Sequence, residues 1–194
     1  MTKEDHYMAD KLKAGIVGAT GMVGQRFVTL LADHPWFEVT AVAASKRSAG
    51  KSYREAVDGR WVMPVPVPES VGDLEVLEGS SVEEVAGRVD LVFCAVDMPK
   101  EETRALEEAY AKSETPVISN NSAHRNTPDV PMLVPEINHA HSALVDFQRK
   151  RLGTKRGFIA VKPNCSIQSY VPALHPLRGY GMQHIVVTTY QAIS

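Results

Sequence analysis

Residues 12–24 read LKAGIVGATGMVG. A short apolar run ends in glycine, and Gly18, Gly21 and Gly24 then recur with the spacing G-x-x-G-x-x-G. The following stretch, MVGQRFVTLLADH, carries apolar side chains at helical spacing (Val23, Phe27, Leu30, Leu31) up to Pro35, which stops a helix. A buried strand, a glycine turn and a helix in that order open a dinucleotide-binding unit. The usual fingerprint is G-x-G-x-x-G, so this is a variant with the same physical demands. Gly18 permits the tight turn, Gly21 lets the backbone approach a pyrophosphate, and Gly24 lets helix and strand pack closely. The helix start at Met22 and Val23 offers unpaired N–H groups to an anion, and Thr20 adds a hydroxyl. A glycine-rich turn without a ligand is the bland alternative.

Working outward, FEVTAVAAS (37–45) reads as a second apolar strand and LEVLEG (74–79) as a short third one. Prolines at 64, 66 and 68 make regular helix unexpected over residues 55–70. SSVEEVAGR (80–88) reads as a short helix opened by a Ser-x-x-Glu capping box. VDLVFCAV (89–96) is the clearest buried strand. PKEETRALEEAYAKS (99–113) is the clearest helix, with Pro99 at its start, acids in its first turn and Lys112 in its last. TPVISN (115–120) is another strand, and NSAHRNTPDVPMLVPEIN (121–138) a long irregular loop of the kind that often carries function. HAHSALVDFQRKRLG (139–153) is helical, GFIAVKP (157–163) a strand, and SIQSYVPALHPLRGYG (166–181) a helix interrupted by Pro172 or ended by Pro176. QHIVVTTYQAIS (183–194) reads as a long strand.

Continuous apolar strands alternating with helices require a parallel sheet covered on both faces. The fold class is therefore α/β: a doubly wound, Rossmann-type sheet over residues 11–157, behind a flexible leader at residues 1–10. The last strand alternates in polarity, and it is expected to begin a second, α+β catalytic and dimerisation domain over 158–194, truncated at Ser194.

The chain has 194 residues, 44% hydrophobic and 23% charged, with a formal net charge of -2. The near-neutral charge argues against a nucleic-acid binder. No apolar run is long enough to span a bilayer. The polar start MTKEDHYMADKLK has no signal-peptide core, which points to the cytoplasm. Cys94 and Cys165 make neither a disulfide framework nor a zinc spacing, so both are expected as free thiols and no metal is expected.

The end of the second strand chooses the cofactor. NAD sites tend to carry an acid there for the ribose 2′-OH. Here the strand runs into Ser45, Lys46, Arg47 and Ser48, two hydroxyls and two cations. A 2′-phosphate wants charge-assisted donors, so the expected cofactor is NADP. A solvated basic turn is the alternative.

VKPNCSIQSY (161–170) places Cys165 behind Pro163-Asn164, where a helix begins. The positive end of the helix dipole and its unpaired N–H groups stabilise a thiolate. A nucleophilic thiol beside a hydride cofactor suggests attack on an activated acyl group, an acyl-thioester, and reduction to an aldehyde. A buried apolar cysteine is the commoner fate, and Cys94, within LVFCAV, is assigned to it.

GATGMVGQRF (18–27), AASKRSAGKSY (43–53), SNNSAHR (119–125), LVPEIN (133–138), KPNCS (162–166) and TTYQAIS (188–194), in that order, resemble aspartate-β-semialdehyde dehydrogenase of the archaeal and fungal branch. The resemblance covers nearly the whole chain after Lys11. It implies conversion of 4-phospho-aspartate and NADPH to aspartate semialdehyde, phosphate and NADP, on the route to lysine, threonine and methionine. By the same resemblance Cys165 matches the acyl-thioester nucleophile and Gln191 the glutamine that orients substrate and thiol. Arg125 matches the arginine that grips the acyl phosphate, which a forked guanidinium suits. Asn121 is assigned to the substrate and Asn120 to the cofactor, while Asn164 braces the thiol. The family's acid/base histidine and its ligands for the substrate carboxylate and amino group lie beyond the TYQAIS stretch. His124 is read as a solvated loop histidine. A chain ending at Ser194 is expected to bind cofactor weakly and turn over nothing. The family's enzymes are homodimers or homotetramers, which is the expectation for a full-length chain. Two alternatives stay open: an acyl-CoA reductase resembling malonyl-CoA reductase, and a non-catalytic NADP-binding module.

Overall fold

The computed structural model describes residues 10–190. Six strands form one sheet: β1 (Leu12–Val17), β2 (Phe37–Ala44), β3 (Val76–Glu78), β4 (Leu91–Cys94), β5 (Val117–Ser119) and β6 (Ile159–Val161). Every pairing is parallel and the strand order is β3-β2-β1-β4-β5-β6. The order reverses between β1 and β4, and ligands of such sheets bind outside the carboxyl ends at that point. One register row crosses all the strands: Leu77, Ala43, Val17, Cys94, Ser119 and Val161. The segments that follow these residues therefore leave the sheet along a single edge.

The helices are α1 (Met22–Leu31), α2 (Tyr53–Val57), α3 (Glu69–Gly72), α4 (Val82–Ala86), α5 (Lys100–Lys112), α6 (Pro135–Asn138), α7 (Leu144–Leu152) and α8 (Cys165–Leu174). Successive strand residues point to opposite faces. Ile16 and Val42 pack with Val28, Leu31, Tyr53 and Val57 on one side. Val17 and Val92 pack with Val85, Tyr110, Ala111 and Ile159 on the other. Among the described residues no helix is long and apolar enough to cross a membrane.

The structure departs from the sequence reading in several places. The inner face of α1 is Gly24, Gln25, Val28 and Leu31, whereas Val23 and Leu30 are exposed. The glycine contact at residue 24 sets the roll of the helix, and the two apolar side chains outside that stripe are left in solvent. Ser81 starts α4 without a side-chain cap. The capping box forms instead at Ser52 and Glu55, where each side chain meets the other's backbone N–H. The short helices α2 and α3 flank the proline run rather than entering it.

The strand at the start of the 158–194 stretch is β6 of the first sheet, paired with β5. Its outer edge is covered. The buried Gln148 side chain accepts from the Ile159 amide at 2.6 Å and donates to the Ile159 carbonyl at 2.9 Å. Residues 131–133 pair with Val161 on the same edge. Helix α8 runs through Pro172 to Leu174. Residues 183–190 form no strand; they stand exposed, with Val186 at 94% and Tyr190 at 98%. A strand exists only where neighbouring backbone pairs with it, and no described residue pairs with this segment. Residues 1–9 and 191–194, including most of the expected leader and Gln191, lie outside the described residues.

Candidate cofactor cleft and reactive cysteine

Gly18 turns the chain out of β1 with φ at +89°, and a Cβ there would stand 2.4 Å from the Ala95 carbonyl oxygen. The turn is thus pressed against the end of β4, at the switch point. A Cβ on Gly24 would lie 2.1 Å from the Gly18 oxygen, so this glycine lets α1 seat on the turn. Gly21 is the N-cap of α1 and supplies no side chain to cover the first-turn amides. Two buried side chains hold the turn from beneath. The Tyr53 hydroxyl donates to the Ala19 carbonyl at 2.9 Å, and Gln25 Nε2 donates to the Thr20 carbonyl at 3.0 Å. Neither was foreseen from the sequence. Gln25 sits in the first turn of an amphipathic helix, beside the glycines, and that position is the only signal it gives.

A cleft of about 370 Å³ opens at this turn. Val17, Gly18, Thr20 and Gly21 line it from β1, Ala44, Ser45 and Lys46 from β2, and Ala95 to Met98 from β4. Of the basic stretch, only Ser45 and Lys46 reach it. Arg47 is exposed away from the lining. Ser48 is buried, and its Oγ accepts from Arg60 at 3.5 Å. The local turn at 45–48 folds back, with the Ser48 amide donating to the Ser45 carbonyl, which carries the later residues out of the cleft. Met22 and Val23 are exposed beside it and can contribute backbone amides only. An acid does enter the cleft, from β3 rather than β2: Glu78, whose Oε1 accepts from the Ser80 hydroxyl at 2.9 Å.

Further along the same edge lies the thiol. Asn164 caps α8, and its Oδ1 accepts the Ser166 amide at 2.9 Å. The same oxygen takes the Cys165 thiol at 3.7 Å. Cys165 is the first residue of α8 and is exposed, while Cys94 is buried. Burial, and then the neighbouring Glu107 carboxylate, push the Cys94 thiol above its ordinary range. Arg125 Nε donates to the Lys162 carbonyl at 3.2 Å, and a terminal nitrogen donates to the Asn120 carbonyl at 3.4 Å. Partial burial, then the nearby Arg125 charge, lower Lys162, and the charge of Cys165 works in the opposite direction. Lys162 thus stands within electrostatic reach of both the exposed thiol and Arg125.

The other loop residues are committed differently from the sequence reading. The Asn121 amide points inward, donating to Glu107 Oε1 at 2.9 Å and to Cys94 Sγ at 3.5 Å. Asn121 also borders a smaller hollow of about 200 Å³ that shares Val96, Asp97 and Met98 with the main cleft. The Asn120 amide donates to the Cys94 carbonyl and the residue is absent from the cleft wall. His124 is not solvated but fully buried, between Thr127 and the Arg104 carbonyl. Packing of the loop against α5 covers it.

Comparison with known proteins bears on this site. A curated relative from Archaeoglobus fulgidus, "Aspartate-semialdehyde dehydrogenase", is 40% identical over 184 residues, covering 95% of this chain and 51% of the relative. "Malonyl CoA reductase (NADP)" of Metallosphaera sedula is 39% identical over 188 residues, covering 96% and 50%. The solved structure of aspartate semialdehyde dehydrogenase with NADP from Candida albicans superposes with a TM-score of 0.76 at 36% identity, covering 88% of this chain and 48% of that one. The chain spans about half the length of the curated relatives it matches. The family model "Semialdehyde dehydrogenase, NAD binding domain" matches residues 13–145, a stretch that contains the glycine turn, the cleft and the Arg125 loop. The chain belongs to the semialdehyde dehydrogenase NAD-binding domain family.

Proposed function

We propose that this chain is the nucleotide-binding and thiol-bearing part of an NADP-dependent aspartate-semialdehyde dehydrogenase. The reaction is reductive dephosphorylation of 4-phospho-aspartate to aspartate semialdehyde, in lysine, threonine and methionine biosynthesis. One observation carries the reading: an exposed thiol at a helix start, within reach of the Lys162 charge, shares a sheet edge with a glycine-turn cleft.

The residues fit the cofactor. Gly18 and Gly24 occupy positions that any Cβ would fill with a backbone clash, which leaves the turn open for a pyrophosphate. Thr20, Gly21 and the Met22 and Val23 amides would hold that group, and Ser45 with Lys46 would hold the 2′-phosphate. NADPH, when bound, supplies the hydride that takes the acyl group to the aldehyde. Asn120 follows the end of β5, and the family resemblance assigns it to the cofactor.

The thiol does the covalent work. The Cys165 thiol gives up its proton to water, its sulfur attacks the acyl carbon, the S–C bond forms, and the C–O bond to phosphate breaks with its electron pair on the phosphate. Asn164 Oδ1 orients the thiol through its hydrogen bond. Arg125 and Lys162 offset the phosphate charge as it leaves. Gln191 orients substrate, by the family resemblance. The same resemblance supports a homodimer or homotetramer.

The test is spectrophotometric. Full-length enzyme that contains this segment, given NADP, phosphate and aspartate semialdehyde, should generate NADPH absorbance, and its Cys165→Ser variant should not. Equal rates in both proteins would overturn the proposal. The likeness to malonyl-CoA reductase favours a second reading, reduction of an acyl-CoA. NADPH formed only with CoA and malonate semialdehyde would select it. Tight NADPH binding with neither reaction, and a sluggish Cys165, would select a binding module.

A further inference from the structure

Glu107, in the middle of α5, is completely buried. A carboxylate out of water is costly unless its lone pairs are met. Its Oε1 accepts the Ser119 hydroxyl at 2.5 Å and the Asn121 amide at 2.9 Å. Its Oε2 has no hydrogen bond and stands 3.9 Å from Nε2 of the equally buried His124. One turn away on α5, the Arg104 carbonyl lies 3.4 Å from that same nitrogen, and Arg104 donates to the Ala123 carbonyl at 2.8 Å. The segment from Ser119 to His124 is therefore gripped from α5 along its length, and Glu107 holds its first half. The next residue is Arg125. Its guanidinium bonds to the Asn120 carbonyl within the gripped segment and to the Lys162 carbonyl on the Cys165 side.

An apolar side chain at 107 could fill this space without a buried charge, and such replacements are often neutral or stabilising. Packing alone therefore does not account for a carboxylate here. What it adds is direction: two donors on one oxygen fix where β5 ends and how the next turn starts. We propose that Glu107 is a positioning residue that sets Arg125 against the thiol of Cys165. The inference rests on reading Arg125 as the cation that meets an anionic substrate beside that thiol.

Alkylation tests it in the 194-residue chain, whose two cysteines are one exposed and one buried. Iodoacetate is an anion and iodoacetamide is neutral. The ratio of their rates at Cys165, taken relative to free cysteine, reads the cationic surroundings. One unit charge at contact distance changes such a ratio by about fivefold. Arg125→Ala should lower the ratio and so tests the underlying reading. Glu107→Leu should lower it to the level of Arg125→Ala, while Glu107→Gln, which keeps one acceptor oxygen for Ser119 and Asn121, should hold most of it. Labelling of one thiol rather than two shows that Cys94 is still sealed and the variant folded. If Glu107→Leu exposes Cys94, Asn121→Ala carries the test, since it removes the amide at a half-buried position and should also lower the ratio. A ratio lowered by Arg125→Ala but unchanged in folded Glu107→Leu or in Asn121→Ala overturns the inference. A ratio unmoved by Arg125→Ala overturns the reading beneath it.

Discussion

Gly24→Ala is the perturbation whose size the structure sets most clearly. The added Cβ would stand 2.1 Å from the Gly18 oxygen, 2.6 Å from Ala19 Cα and 2.8 Å from Ala19 C. All are backbone atoms, so no side chain can swing away. Ordinary contact begins at 3.4 Å, and the first turn of α1 must retreat from β1 by more than an ångström. Overpacking of this kind costs about 1–3 kcal/mol, and a backbone-on-backbone clash belongs at the upper end. For a chain of this length, about 3 kcal/mol lowers Tm by roughly 6–12 °C. The retreat also lifts the α1 amides from the turn, so NADPH affinity falls with stability. Gly21→Ala is the control. Its Cβ would meet only the Gly18 oxygen, at 3.5 Å, and its φ of -76° suits any residue. That variant should unfold like the wild type yet bind NADPH more weakly, because the methyl group stands where the anion approaches. Urea denaturation with NADPH fluorescence titration separates the two effects. A Gly24→Ala protein within about 0.5 kcal/mol of wild type, with unchanged NADPH binding, would refute the reasoning.

Lys46→Ala should weaken NADPH by about 10- to 100-fold, the worth of one charge-assisted contact, and leave NADH nearly unchanged; equal losses for both would show that Lys46 does not meet the 2′-phosphate. Glu114 accepts the Lys155, Arg156 and Gly157 amides, which hold its carboxyl down at about 2. Its folded pKa is depressed, so its contribution is full above the ordinary value of 4.5 and is lost as pH falls through about 2. The gap in urea midpoint between wild type and Glu114→Gln should therefore be constant near neutrality and shrink below about pH 4; a constant gap across that range would contradict the clamp. Native protein should incorporate one equivalent of alkylating reagent and urea-unfolded protein two, since Cys94 is sealed; two equivalents in the native state would place Cys94 wrongly.

The glycine turn was legible because its demands are local: a positive φ at Gly18 and a backbone contact at Gly24 can be met by no other residue. The six apolar strands were legible because burial on both faces leaves an uninterrupted apolar run, and α5 because Pro99, first-turn acids and Lys112 mark its ends. What the sequence hid was set by tertiary contact. Ser52-x-x-Glu55 and Ser81-x-x-Glu84 are equivalent as text, and only the first is placed to close a capping box. The strand at 159–161 looks alike whether it ends one sheet or starts another, and its partner β5 decides. Lys46 and Arg47 are both cations after β2, but the turn sends one into the cleft and the other into solvent. Glu107 was legible in principle. It shares a helix face with Thr103, Tyr110 and Ala111, all buried, and that spacing marks it as inward-facing despite Glu108 beside it.

The account stands on a nicotinamide lying beside the Cys165 sulfur. A crystal structure of this chain with NADP tests it most directly. It should show the pyrophosphate on the Gly18–Gly24 turn and the hydride-bearing carbon within about 4 Å of Cys165 Sγ. NADP bound elsewhere, or in the cleft with protein side chains between that carbon and the sulfur, would contradict it.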